Sequence, residues 1–313
     1  MILYGFEGVG TIAEVIDFHV HPIPKIISRE ELVKEVGRAR VDKAVLLALD
    51  IDEYYLDGEY SSMSFLQECV QLNSLNCLKC LEDARKILKT CYTSNEYVGD
   101  LVRSNPERFI GVGSVNPSKN MSYVKEKLKE IEKLGLIGIK LIPTLQFFNP
   151  LREKNKLEAI FEFCEREGKF IIFHTGCDPS IWEEPSFSEN ANPSLLEYYV
   201  KKFKNVQVVL AHMGSYSLKY PGIWFDEALQ LGRKYSNVWF DISAVPYILM
   251  EKKYVEKIDR DIGWSKVLFG SDYPVAGGYG LASLIELVKT KSLLSEKNLE
   301  SVLGLNALKL LGL

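Results

Sequence analysis

The stretch FIIFH at Phe170–His174 shows the pattern on which the fold depends, a short apolar run that ends in one histidine. The same pattern returns in VVLAH at Val208–His212. DFHVH at Asp17–His21 carries two histidines, and VLFGSD at Val267–Asp272 ends in a carboxylate. We expect these runs to be buried strands of a parallel sheet, because strands covered on both faces are continuously apolar rather than alternating.

Eight such runs occur along the chain, with patterns typical of amphipathic helices between them. The predicted strands are Glu14–Val20, Ala44–Leu49, Phe109–Val115, Ile137–Ile142, Phe170–His174, Gln207–His212, Asn237–Ile242 and Lys266–Ser271. Ser28 and Glu31 have the spacing of a capping box at the start of the first helix. The alternation predicts an α/β fold, a (β/α)8 TIM barrel. An open doubly wound sheet is less favoured, since no glycine-rich phosphate turn follows the first strand.

We expect a single domain over residues 1–313, in which residues 51–94 form a helical insert after strand 2. The insert exceeds a minimal strand–helix connection, and we predict that it caps the barrel mouth. Cys77 and Cys80 in this segment have the spacing of metal ligands, with Cys69 and Cys91 on either side. Four thiolates predict a structural zinc site, although buried small side chains or disulfides would explain the same residues.

The bulk composition is that of an ordinary soluble globular protein, with 47% hydrophobic and 26% charged residues. A net charge of −4 and a pI near 5.8 give no basic face, so nucleic acid is not expected as a partner. No apolar run reaches the length of a membrane span and no leader signature is seen, so no membrane partner is expected. We expect a cytoplasmic protein that acts on a small molecule, with a homodimer as one option.

The histidines and Asp272 predict a shared cation site. His19 and His21 are two residues apart on an extended strand, so both side chains point the same way. The ends of parallel strands meet at one end of a barrel, which would bring His174, His212 and Asp272 to the same place. Imidazoles with one carboxylate suit zinc, and also manganese, iron or cobalt. Taken singly, each of these residues would also fit a strand cap, a turn or a core histidine.

Several motifs together resemble the amidohydrolase superfamily. Within it, the resemblance is to the branch that includes carboxymuconate-semialdehyde decarboxylase and unassigned metal-dependent hydrolases. The motifs are DFHVH at Asp17–His21, GIKL at Gly138–Leu141, FHT at Phe173–Thr175, AHMG at Ala211–Gly214, VWFD at Val238–Asp241 and FGSDYP at Phe269–Pro274. The insert at residues 51–94 departs from the usual pattern of the family.

The resemblance implies that His19, His21, His174 and Asp272 hold one catalytic divalent metal, with zinc the first choice. His212 would stand beside a metal-bound water as an acid or base, and Asp272 would accept a proton from that water. Such an ion lowers the pKa of bound water to about 7.

Lys140 adds a second option for the metal centre. In some superfamily members a lysine at this place is carboxylated and bridges two metals, which would give His174 and His212 to a second ion. We favour the simpler alternative, in which Lys140 pairs with an acid such as Asp272 or Asp241.

The function expected first is hydrolysis of a small-molecule ester, lactone or amide by metal-activated water. A metal-dependent decarboxylase or hydratase is the alternative on the same scaffold, and a metal-binding scaffold or sensor without turnover is the alternative of another class. The predicted loop after strand five carries Asp178, Glu183 and Glu184 without a basic residue, and Trp182 adds aromatic surface. These acids disfavour a multiply anionic substrate, unless they are only solvated surface.

Overall fold

The computed structural model describes residues 14–53, 56, 77–275 and 278–313. Eight parallel strands in the sequential order β1 to β8 form a nearly closed barrel. The strands are β1 Ile16–Val20, β2 Lys43–Leu47, β3 Phe109–Ser114, β4 Gly138–Leu141, β5 Phe170–Gly176, β6 Val208–Tyr216, β7 Val238–Asp241 and β8 Val267–Leu268. The (β/α)8 prediction is therefore confirmed, and each observed strand overlaps a predicted one.

Helices connect the strands on the outside of the barrel. The α-helices are α1 Arg29–Arg38, α2 Cys77–Cys91, α3 Asn95–Ser104, α4 Met121–Lys133, α5 Pro143–Gln146, α6 Lys154–Arg166, α7 Pro185–Ser188, α8 Glu197–Lys202, α9 Phe225–Lys234, α10 Lys252–Asp261, α11 Leu281–Lys291, α12 Glu296–Glu300 and α13 Asn306–Leu311. Short 3-10 turns lie at Ser180–Glu183, Glu189–Ala191, Pro193–Leu196 and Pro246–Leu249, and a π-turn at Ser301–Leu305. Among the described helices, none is both long and apolar enough to cross a bilayer.

The strands are apolar on both faces because each face has its own neighbour. Ile171 of β5 packs in the cluster between the strands and the outer helices. The next residue, Ile172, packs with Val209 and Phe18 in a second cluster, which α13 also contacts. Adjacent residues of one strand are thus buried in different layers, which explains the unbroken runs of Val, Ile, Leu and Phe.

Backbone hydrogen bonds beyond the sheet register join β1 to the segment after β8. Phe18 N donates to Phe269 O at 2.9 Å, and Asp272 N donates to His19 O at 2.8 Å. The Asp17 carboxylate adds a bond from the Ser271 amide at 2.9 Å. This contact places His19 beside Asp272.

Part of the predicted insert lies at the barrel mouth. Helix α2 contributes Ala84 and Leu88 to a hydrophobic cluster with Leu49, Ile142 and Trp182, which follow β2, β4 and β5. Residues 54–55 and 57–76 lie outside the described residues. The packing of α2 therefore agrees with the predicted cap. For the other residues of the insert the cap stays a prediction.

Replacement of Ser28, the N-cap residue of α1, tests the capping role that the sequence predicts for it. Ser28 Oγ accepts a hydrogen bond from Glu31 N at 3.2 Å, which satisfies one free donor at the start of α1. We expect Ser28→Ala to lower the free energy of unfolding by about 1 kcal/mol in chemical denaturation. Ser122→Ala removes an exposed hydroxyl that caps no backbone N–H, and it should leave stability within about 0.5 kcal/mol. Equal effects of the two changes would contradict a capping role.

Candidate metal centre

The carboxyl-terminal parts of four strands supply the five polar side chains of one buried site. His19 and His21 come from β1 and the residue that follows it, His174 from β5, His212 from β6 and Asp272 from the turn after β8. All five are at most 5% exposed. Barrel closure therefore brings together the five residues that the sequence singled out.

Three donor atoms form a compact triangle. His19 Nε2 and His21 Nε2 are 3.2 Å apart. Asp272 Oδ1 lies 3.5 Å from His19 Nε2 and 3.2 Å from His21 Nε2. Ligand atoms about 2.1 Å from a tetrahedral zinc ion lie roughly 3.4 Å from each other, so these separations fit a shared cation.

Asp241, the last residue of β7, holds two of the histidines in place. Its Oδ2 accepts from His19 Nδ1 at 2.9 Å, and its Oδ1 accepts from the backbone amides of His212 and Ser243 at 3.0 Å. Because His19 Nδ1 carries the proton, His19 Nε2 presents a lone pair to the triangle. A carboxylate behind a histidine in this way is typical of metal-ligating imidazoles.

A chain of hydrogen bonds fixes the protons of His212 and His174. His212 Nδ1 lies 2.8 Å from the carbonyl oxygen of Ser243, which only accepts, so this nitrogen carries the proton. His212 Nε2 then accepts from His174 Nδ1 at 3.1 Å. His174 Nε2 is left as a buried lone pair without a hydrogen bond. Such an orphaned nitrogen in a site of this donor set is what a bound cation would satisfy.

Protonation does not compete with metal binding at these rings near neutral pH. Burial lowers the pKa of His19 to about 3 and holds the pKa of His174 and His212 below the ordinary value. Burial alone would raise the pKa of Asp272, but His21 and the neighbouring imidazoles lower it to about 2. Neutral imidazoles with an ionised carboxylate are the forms that bind a divalent ion. The donor set therefore fits a divalent cation, and the assignment of His19, His21, His174 and Asp272 as its ligands stays a prediction.

His212 is also close enough to be considered as a ligand. One donor atom each of His19, His212 and Asp272 lie within 4.8 Å of one another. The hydrogen bond from His174 already satisfies His212 Nε2, so we keep His212 as the group beside the metal rather than as a ligand.

Lys140 belongs to the same site but not in the way we expected. Its side chain is fully buried, and its Nζ lies 3.1 Å from His19 Nε2. Among the described residues no ion pair joins Lys140 to Asp272 or Asp241, so the expected pairing is not found. Burial lowers the pKa of Lys140 to about 8. A carboxylated Lys140 that bridges two metals stays an open alternative.

Two of the three acids after β5, Asp178 and Glu183, are not the solvated surface that the sequence left open, whereas Glu184 is partly exposed. Asp178 is buried, accepts from Thr144 Oγ1, and its Oδ2 lies 3.2 Å from His174 Nε2. Burial raises the pKa of Asp178 to about 7. Glu183 is also buried and accepts from Ser217 Oγ at 2.9 Å. Trp182 is 1% exposed, so our expectation that it adds aromatic surface is wrong.

A narrow cavity opens above the triangle. The residues that line it are His21, Ile23, Leu49, Cys91, Ile142, Leu145, His174, Asp178, His212, Tyr216, Asp272 and Val275. The ring of Tyr216 stacks on that of His212 with centroids 4.5 Å apart and planes 24° apart. Polar groups of the lining are the histidines, two carboxylates, the Tyr216 hydroxyl and the Cys91 thiol, and the other lining side chains are apolar.

The predicted cysteine zinc site is described only in part. Cys91 is a free thiol that lines the cavity. Cys69 and the side chains of Cys77 and Cys80 lie outside the described residues. The structural zinc site stays a prediction.

The sequence missed three positioning groups. Asp241 ends the apolar run of β7 just as His174 and His212 end theirs in the sequence, so its place in the motif VWFD was a usable signal. Ser243 acts through its backbone carbonyl and also through its hydroxyl, whose Oγ lies 3.0 Å from His19 Nδ1 and 2.9 Å from His212 Nδ1. Asp178 was noted only as an acid of the rim, although it follows His174 by four residues.

Comparison with known proteins agrees with this geometry. The family model described as amidohydrolase matches residues 16–313. A 2-amino-3-carboxymuconate-6-semialdehyde decarboxylase from Dictyostelium discoideum is 28% identical over 250 residues, which is 70% of this chain. The match spans 65% of that relative, slightly less than two thirds of its length.

Two solved structures share the fold at low identity. A 5-carboxyvanillate decarboxylase from Sphingomonas paucimobilis superposes with a TM-score of 0.60 at 14% identity, covering 95% of this chain and 98% of that one. A dihydroxybenzoic acid decarboxylase from a Polaromonas species, with bound manganese and 2-nitroresorcinol, gives a TM-score of 0.57 at 13% identity, covering 96% and 97%. These likenesses show the fold alone.

Asp241→Asn tests the support of His19. The change removes the charge that keeps the proton on His19 Nδ1, and we expect the affinity for Zn²⁺ or Mn²⁺ to fall by roughly 10- to 100-fold in competition with a chelator. Asp226→Asn serves as a control, because this carboxylate is exposed and pairs with Lys257 away from the site. Circular dichroism checks that both variants fold. An unchanged affinity in folded Asp241→Asn would refute the supporting role.

Metal stoichiometry tests the two arrangements of Lys140. We expect one divalent ion per chain by elemental analysis and an unmodified mass for the peptide that contains Lys140. The reason is that the free Nζ lies within 3.1 Å of His19, and the donor set fits one ion. Two ions per chain, together with a Lys140 peptide heavier by one carboxyl group, would establish the bridged alternative.

Proposed function

The chain belongs to the amidohydrolase family, and from that membership we propose that it is a metal-dependent, non-oxidative decarboxylase of a small carboxylic acid. The observation that carries the proposal is the buried triangle of His19, His21 and Asp272, in a chain similar to a decarboxylase over 250 residues. The proposed metal is Mn²⁺ or Zn²⁺, because neutral imidazoles with one carboxylate suit both.

Decarboxylation is preferred to the hydrolysis that the sequence first suggested. The three relatives described above are named decarboxylases, and their substrates are carboxylic acids. The hydrolase expectation is not confirmed. It remains the competing proposal, since both reactions use the same donor set and differ in whether water becomes part of the product.

The roles of the residues follow from their positions. His19, His21, His174 and Asp272 would hold the ion, which when bound supplies positive charge to orient a substrate carboxylate and to stabilise negative charge. The apolar walls formed by Leu49, Ile142 and Leu145 exclude water from the body of the substrate. A dry surrounding strengthens each charge interaction inside the cavity.

His212 is the proposed proton carrier. When the bond between the carboxyl carbon and the rest of the substrate breaks, carbon dioxide leaves and the electron pair stays on the substrate carbon. That carbon then takes a proton. The hydrogen bond to the Ser243 carbonyl keeps a proton on His212 Nδ1, so Nε2 is the nitrogen that would take a proton from solvent and deliver it. To do so, Nε2 would give up the hydrogen bond that it accepts from His174 Nδ1 in the structure. The stacked ring of Tyr216 keeps the imidazole plane fixed toward the cavity.

Asp272→Asn separates catalysis from folding. The wild-type protein, loaded with Mn²⁺ or Zn²⁺, should release carbon dioxide from a member of a panel of aromatic and unsaturated carboxylic acids. In deuterium oxide the product should carry deuterium at the carbon that lost the carboxylate. Asp272→Asn should lower kcat/KM by about 1,000-fold or more, because it removes the single carboxylate of the ligand set, while the unfolding midpoint changes little.

Two results would contradict the proposal. Heavy oxygen from labelled water in the product of an ester, lactone or amide, without release of carbon dioxide, would establish the hydrolase instead. Turnover that survives Asp272→Asn would show that Asp272 is not a ligand of the catalytic ion. Asp226→Asn is the matched control, since it makes the same change at an exposed carboxylate.

A further inference from the structure

Asp178 places a second carboxylate in the cavity, separate from Asp272 of the metal triangle. Its Oδ2 is engaged by Thr144 Oγ1 and faces His174 Nε2. Its Oδ1 receives no hydrogen bond from any described residue, although Asp178 lines the cavity. A buried carboxylate oxygen with an unused acceptor position attracts a donor and repels an anion.

Among the described residues, no lysine or arginine stands at the cavity wall itself, and the base that interacts with the Asp178 charge is the buried Lys140. The residues that line the described cavity include neither lysine nor arginine. The segments outside the described residues (1–13, 54–55, 57–76 and 276–277) contain no lysine or arginine in the sequence either. They therefore cannot supply a missing cation.

The basic residues of the surrounding loops are engaged elsewhere. Lys219 pairs with Glu184, Lys25 donates to the Lys89 carbonyl, and Lys119 pairs with Asp52. Lys140 contacts His19 beneath the triangle. One substrate carboxylate can be balanced by the bound ion, but a second that reached Asp178 would meet a like charge with no lysine or arginine among the described lining residues.

We propose that Asp178 is a specificity-determining residue that restricts the substrate to an acid with a single carboxylate and accepts a hydrogen bond from a neutral donor on it. The inference rests on the proposed function in one respect, namely that the cavity receives a carboxylic acid. It goes further by excluding dicarboxylates and by naming the group that excludes them.

The physical basis is the difference between two groups of equal shape. A carboxamide and a carboxylate have nearly the same size, but the carboxamide is neutral and carries two N–H donors. At the Asp178 oxygen the carboxamide gains a hydrogen bond to a charged acceptor. The carboxylate instead meets a like charge in a poorly solvated cavity, where such repulsion is much stronger than in water.

A matched pair of ligands measures this preference without any turnover. Isothermal titration of the Mn²⁺-loaded protein in mildly alkaline buffer compares isophthalate with 3-carbamoylbenzoate, which differ only in one carboxylate and one carboxamide. We expect 3-carbamoylbenzoate to bind at least about tenfold more tightly, the effect of one charged hydrogen bond gained or lost. In Asp178→Asn the ratio should fall to within about threefold, because the charge is lost while the shape is kept.

Glu184→Gln is the control variant. It removes a negative charge from the same loop, at a residue that does not line the cavity and pairs with Lys219. The wild-type ratio should persist in this variant, which excludes a general effect of net charge. Metal content and circular dichroism of both variants show that they are folded and loaded.

Three results would overturn the inference. Isophthalate that binds the wild-type protein as tightly as 3-carbamoylbenzoate overturns the inference, as does a ratio that survives in loaded Asp178→Asn. Failure of both acids to bind the loaded protein overturns it too. None of these results bears on decarboxylation itself, which the release of carbon dioxide tests separately, so the two proposals fail in distinguishable ways.

Discussion

The candidate site depends on one buried carboxylate, that of Asp241. Burial alone would raise the pKa of Asp241, but the facing His19 and the hydrogen bonds from the His212 and Ser243 amides hold it well below its ordinary value. An ionised group in a dry interior is costly unless every lone pair has a partner. Here the hydrogen-bond partners of the Asp241 carboxylate include the His19 ring and the His212 backbone amide. The bonds that stabilise the buried charge therefore also position these two histidines.

Hydrogen bonds with neighbouring side chains also stabilise strained backbone at the site. His212, Met213 and Asp272 adopt left-handed conformations with φ of 60°, 49° and 60°, which are costly for residues with a side chain. Thr175 stabilises the turn after His212 by accepting from Gly214 N at 2.8 Å. The Asp241 carboxylate of β7 accepts from His212 N at 3.0 Å. Side chains of the two neighbouring strands therefore hold this strained segment in the site.

The sequence predicted the barrel well because strand burial is a local property. Each strand of a parallel barrel carries its own apolar run, and the histidines near the ends of three of these runs mark the functional end of the barrel. Contacts between elements that are distant in the chain are harder to predict from the sequence. The support of His19 by Asp241 joins residues of β1 and β7, and no local pattern shows which acid faces which ring. Trp182 illustrates the opposite error, because its burial depends on packing against α2, which the loop sequence does not reveal.

The closure between β1 and the turn after β8 has a consequence for biosynthesis. His19 is among the earliest described residues to be translated and Asp272 among the last, so a nascent chain that ends at β7 has only two corners of the triangle. Pairing of such distant segments carries a large entropic cost and occurs late in folding. An ion held by this triangle would therefore be captured only after translation of Asp272, which follows β8, so metal supply would act on the finished fold rather than on its formation.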